Sequence, residues 1–248
     1  GMRFLILPLA CLALASGWTA PGTEPRPIVI LVHGRGHVDS DSAALRREWK
    51  RDLDSGLATV GLPPLRDSDV RLAWYAGAPD APAGPGCGAS RAVDDDSLDV
   101  QMLLNGFVAA LVEAVPRTDA PEARALLGDV LYVMDSGTRC AAQRRVGGVI
   151  EAALSEGRPI VIVAYSLGSL VTYEYLRSRT TNASGQKDIR LVTLGSPLGN
   201  HELRELLGSA DSLRVPAGVS TWDNVYDPDD IFAAPLEGPW SAQRVRDR

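Results

Sequence analysis

The sequence predicts an α/β fold, a mostly parallel sheet with helices on both faces. Three observations predict it. Short, continuous apolar runs rich in β-branched residues recur along the 248 residues, as in strands buried on both sides. Longer stretches with apolar residues at helical spacing lie between them. The composition, 45% hydrophobic and 23% charged, is that of a globular chain able to build such a core without disulfides or metals. Alternation of this kind produces parallel strands joined by right-handed crossovers.

Each element follows from its own pattern. Residues 27–32, Pro-Ile-Val-Ile-Leu-Val, read as a first buried strand. Residues 42–57 place Leu45, Trp49, Leu53 and Leu57 four apart, which makes an amphipathic helix. A second strand is expected over 70–76. Residues 77–99 are rich in Gly, Pro and Asp and include Asp94, Asp95 and Asp96. They read as a long surface loop, a lid-like insertion after the second strand, and lack the spaced ligands and turn glycine of an EF-hand. Residues 100–115 carry a helical stripe that includes Leu103, Phe107 and Leu111. Further along, helices are expected over 139–154, 167–176 and 202–207. Strands are expected over 159–164, 189–194 and 220–226. The ending, 240–248, is polar and charged and resembles no sheet edge.

The chain start reads as a leader. Gly1 precedes Met2 as an added residue. Arg3, an apolar run over 4–15 and the small residues Ser16 to Ala20 then form a secretory signal pattern over 1–21. The run is too short for a stable membrane span, which needs about 20 residues. Export to the periplasm or the medium is the expectation, with 22–248 forming one domain. Removing the leader takes Cys11 and leaves Cys87 and Cys140, an even pair that suggests one disulfide. In the chain-entropy model that bridge is worth about 4 kcal/mol.

Charge excludes one class of partner. The formal net charge is −6, and the cluster Arg46, Arg47, Lys50 and Arg51 is interleaved with Glu48, Asp52 and Asp54. It reads as the wet face of a helix, and no nucleic acid is expected as partner. No Walker-type lysine or nucleotide-binding glycine loop is present, and no cofactor is expected.

The chemistry centres on residues 160–171, where a buried strand runs into Ser166 and a helix follows at once. A sharp strand-to-helix turn forces a serine into strained backbone angles and lifts its Oγ clear of the sheet. Ala164 and Gly168 supply the small neighbours that such a turn demands. The alternative is a chance serine that caps the helix. Two further segments agree with the first reading. Residues 29–36 are a strand ending in His33-Gly34-Arg35-Gly36, where glycines permit close backbone approach. His33 and His37 are four apart, but glycines between them and a strand before them argue against a metal site. Residues 220–230 end a strand in clustered aspartates, Asp227, Asp229 and Asp230.

Together, the His33-Gly34 segment, the Ser166 turn, Thr193-Leu194-Gly195-Ser196-Pro197 and Tyr226-Asp227-Pro228-x-Asp230 resemble the lipase and esterase branch of the α/β-hydrolases. The resemblance covers residues 27–230 and is loose over 77–138; Ala164 stands where the family pattern has Gly. It implies the α/β-hydrolase fold, with Ser166 as nucleophile, the Arg35 and Leu167 N–H groups as oxyanion hole, and Asp230 as triad acid, Asp227 being the alternate. The substrate it implies is a small-molecule or lipid ester, with no metal.

One departure from the family is plain. The family places its histidine after the acid, and none of His33, His37 and His201 follows Asp230. Three explanations compete: the natural chain continues past Arg248, His201 has taken over the role, or the pocket binds without catalysis. The functions in contention are therefore an ester hydrolase, an acyltransferase that admits an alcohol in place of water, and a non-catalytic binding protein.

Overall fold

The computed structural model describes residues 25–34, 41–76, 136–179, 189–206, 214–230, 233–236 and 245–248. Six strands form one sheet: β1 (Ile28–Val32), β2 (Val70–Ala73), β3 (Ile160–Tyr165), β4 (Ile189–Leu194), β5 (Val219–Val225) and β6 (Val245–Asp247). Every pairing is parallel, in the order β2-β1-β3-β4-β5-β6. The helices are α1 (Ser42–Thr59), α2 (Ser136–Ser155), α3 (Leu167–Ser178) and α4 (His201–Leu206).

Alternation along the strands feeds two cores. Ile28, Ile30 and Val32 of β1, with Ile160, Ile162 and Ala164 of β3, pack on α2, α3 and α4 through Val146, Ile150, Leu170 and Leu203. Val29, Leu31, Val161 and Val163 point to the other face and meet Leu53 and Leu57 of α1. Helices thus cover both faces, as continuous apolar strands require. Asp41 fixes the start of α1, its carboxylate accepting the Ala43 N–H at 2.9 Å. In β5, a bulge between the Ile189–Val219 and Arg190–Thr221 pairs lets Val219 and Trp222, three apart, enter the same core. Tyr173 stacks near Trp222 there, and burial pushes its phenol up to about 12.

The structure corrects the sequence reading at the C-terminus. Residues 245–247 form a sheet edge, β6, paired to β5 through Trp222–Val245, Asp223–Arg246 and Asn224–Asp247. Asp223 is buried in β5, and its carboxylate receives Arg246 at 3.1 Å and Arg248 at 2.7 Å. The Asp247 carboxylate accepts Asn224 Nδ2 at 2.8 Å and the Leu236 N–H at 2.9 Å. Charged side chains hold this strand, so apolar patterning hides it.

The second strand also ends earlier than expected, at Ala73, because Trp74 and Tyr75 turn aside to pack on His33. Cys140 in α2 is disulfide-bonded. The expected partner Cys87, the leader over 1–21, the lid-like stretch over 77–99 and the helix over 100–115 lie outside the described residues. Among the described residues no helix is long and apolar enough to cross a membrane.

Candidate functional site

The strand order reverses between β1 and β3. From β1 the chain steps outward to β2, then returns to the other side of β1 and continues through β3 to β6. In open parallel sheets such a reversal opens a crevice beyond the carboxyl ends of the two strands. β1 leads into His33 and Gly34 there, and β3 leads into Ser166.

Ser166 has φ 52° and ψ −125°, and among the described residues it is the one non-glycine with positive φ. A side chain in that region carries steric strain of about 1–3 kcal/mol. The surrounding structure holds it there. Its N–H donates to Leu194 O at 2.8 Å, and its carbonyl accepts the Ser169 N–H at 2.9 Å. The helix-cap alternative is overturned: Ser166 sits at the N-cap position of α3, but its side chain makes no capping bond. Ser166 is half-buried directly after the end of β3.

Close packing explains the small residues around it. A Cβ on Gly34 would stand 3.1 Å from the Ser166 Cβ and 3.1 Å from the Tyr165 ring. One on Gly168 would meet the His33 carbonyl oxygen at 2.5 Å and that of Val32 at 2.7 Å. The first turn of α3 therefore rests directly on the end of β1. Leu167 opens the helix, where N–H groups lack intrahelical acceptors and the dipole is positive. Arg35, the other expected oxyanion donor, and His37 lie outside the described residues; Gly34, the residue before Arg35, touches Ser166.

His33 is fully buried and both of its ring nitrogens are engaged. Nδ1–H donates to Gly34 O, and Nε2 accepts the Tyr75 N–H at 3.2 Å. Those partners fix a neutral imidazole with its proton on Nδ1. Tyr75 stacks on the ring at 4.2 Å and donates its hydroxyl to the His33 carbonyl at 2.7 Å. His33 thus shapes the loop and has no lone pair left for a metal or a serine proton. Among the described residues no group of three His, Cys, Asp or Glu could hold a metal.

The two candidate acids differ in what they face. Asp227 uses Oδ1 to accept the Asp229 N–H at 3.0 Å, which closes its own turn. Asp230 turns Oδ2 toward Gly195, 3.7 Å from where a Cβ there would stand, and the Tyr165 ring lies 3.6 Å from the same point. The Asp230 carboxylate therefore approaches the β4 loop next to the Ser166 turn. His201 is exposed at the first residue of α4, and among the described residues no hydrogen bond joins it to Ser166 or Asp230.

Sequence reasoning missed the polar residues behind the turn, Ser169 and Ser196, whose hydroxyls lie 2.8 Å apart. The Thr193-to-Pro197 motif was their one signal. No family model matches the chain, and no curated protein or solved structure matches it either.

Proposed function

We propose that the protein is a serine hydrolase of the α/β-hydrolase type that cleaves a carboxylic ester through an acyl-enzyme on Ser166. One observation carries the reading: a strained, uncapped Ser166 between a buried strand and a helix, at the reversal of strand order. Strain of this kind persists where the surroundings over-determine it, and it is characteristic of active sites.

The chemistry follows. Ser166 Oγ attacks the ester carbonyl and loses its proton to a base. The Leu167 and Arg35 N–H groups receive the tetrahedral oxyanion. Collapse expels the alcohol, which takes the proton from the base. Water, activated by the same base, then releases the acid and restores Ser166. Asp230 orients the base and offsets its charge. The bridged Cys140 agrees with an exported, oxidising setting. An alcohol replacing the water would make the same site an acyltransferase.

A second reading has its own support. His33 is committed, and among the described residues no imidazole is hydrogen-bonded to Ser166. A binding protein that kept the turn without the base fits that observation. Intact mass after treatment with a fluorophosphonate separates the two. A single adduct, lost in Ser166→Ala, is expected of the hydrolase; absence of any adduct on the full natural chain would leave the binding protein. His201→Ala reports on the base, since retained labelling removes His201 from that role.

A further inference from the structure

The Thr193-Leu194-Gly195-Ser196-Pro197 segment has no part in the chemistry above, yet it holds Ser166 at both of its peptide groups. On one side the Ser166 N–H donates to Leu194 O at 2.8 Å. On the other, Ser169 Oγ donates to the Ser166 carbonyl at 2.5 Å and lies 2.8 Å from Ser196 Oγ. The Leu198 N–H points at Ser196 Oγ from 3.3 Å. Each hydroxyl has one proton, which fixes the direction of the chain. Ser169 has given its proton to the Ser166 carbonyl, so Ser196 gives its own to Ser169 and accepts from Leu198. Both serines are fully buried, so a missing bond in this chain is not replaced by bulk water.

The two anchors, residues 194 and 196, flank Gly195. Gly195 has φ 55°, and its N–H donates to Val225 O at 2.9 Å. A glycine is needed here, because the backbone must bend at the end of β4 so that one loop reaches Ser166 from both sides. Asp230 faces the same glycine.

We infer that Ser169 and Ser196 are positioning residues that clamp the Ser166 turn to the β4 loop and so set where its Oγ stands. The inference rests on the hydrolase reading for its consequence in rate, and on the geometry alone for the clamp. Ser169→Ala and Ser196→Ala, made in the full chain and treated with a fluorophosphonate, test it. A misplacement of the reacting atom by about 1 Å costs on the order of a hundredfold in rate, so labelling of Ser166 is expected to slow about tenfold or more in each. The double variant should be no slower than the worse single, because either change breaks the same chain. Ser196→Thr, which keeps the hydroxyl, should recover most of the rate; a purely structural role would lower the midpoint of unfolding in the alanine variants and leave the labelling rate unchanged.

Wild-type labelling rates in both alanine variants would overturn the inference and leave the hydrolase reading intact. Where the wild-type protein itself takes no label, the hydrolase reading fails and amide exchange decides the clamp. Faster exchange at Leu167 and Gly168 in the alanine variants, with β1 and β4 unchanged, supports it. Unchanged exchange overturns it. Should an alanine variant fail to fold, Ser196→Cys weakens the same bond more gently and is read by the same outcomes.

Discussion

Replacing Ser166 by glycine should stabilise the protein relative to replacing it by alanine. Both variants lose the hydroxyl, so the comparison isolates the Cβ. At φ 52° and ψ −125° a Cβ carries about 1–3 kcal/mol of strain. Alanine retains it and glycine does not. Glycine gives back about 0.5–1 kcal/mol through the greater freedom of the unfolded chain. The net advantage of Ser166→Gly is therefore about 0.5–2 kcal/mol, and in a chain of this size each kcal/mol moves Tm by about 2–4 °C. Urea unfolding reads the difference directly, provided the two variants share one m-value. Ala152→Gly, on the exposed side of α2, is the control; there the same change should cost about 1 kcal/mol. Equal stability of Ser166→Gly and Ser166→Ala, or a less stable glycine variant, would refute the argument that this turn is strained.

Two more outcomes follow from buried polar groups. Changing Arg246 and Arg248 together to alanine leaves the Asp223 carboxylate buried without its cations. Breaking a fully buried pair costs about 3–5 kcal/mol; both arginines keep some solvent contact, so a loss of about 2–3 kcal/mol is expected, with much of it restored by adding Asp223→Asn. At alkaline pH, Tyr173 stays neutral in the fold up to about 12, mainly through burial, whereas an unfolded tyrosine ionises near its ordinary value of 10. Its contribution is present below pH 10 and is lost as pH rises toward 12, because the unfolded state then releases its proton first. Tyr175 is shifted the same way by burial and by Glu151. Denaturation series between pH 9 and 12 should show that decline, and Tyr173→Phe should flatten it.

Apolar patterning made most of this fold legible. β1, β3 and β4 are continuous β-branched runs, and α1 shows its buried stripe, so their ends fall within a few residues of expectation. Ser166 was legible because strand, small neighbours and helix stand in register around it. β6 was not, since its place is set by the ion pairs of Asp223, and a lone Val245 offers no pattern. The end of β2 escaped for a similar reason: Tyr75 gives its N–H to the side chain of His33, just past β1, where a strand would give it to a neighbouring backbone. Ser169 and Ser196 lie 27 positions apart, and only the parallel pairing of β3 with β4 shows that their hydroxyls meet.

The outer strands bear on how this protein behaves in a crowd. A long, flat, apolar edge invites a second chain to add a strand, which begins aggregation. Among the described residues the sheet ends in β2, four residues with Arg71 at its centre, and in β6, three residues with Arg246 and Asp247. Arg71 is tied to Glu156 and Arg246 to Asp223, so charge is fixed along both margins. A neighbouring chain seeking to pair there would find few free amides and would have to strip water from ions. The salt bridges that hold the last strand in place therefore also keep the sheet from growing.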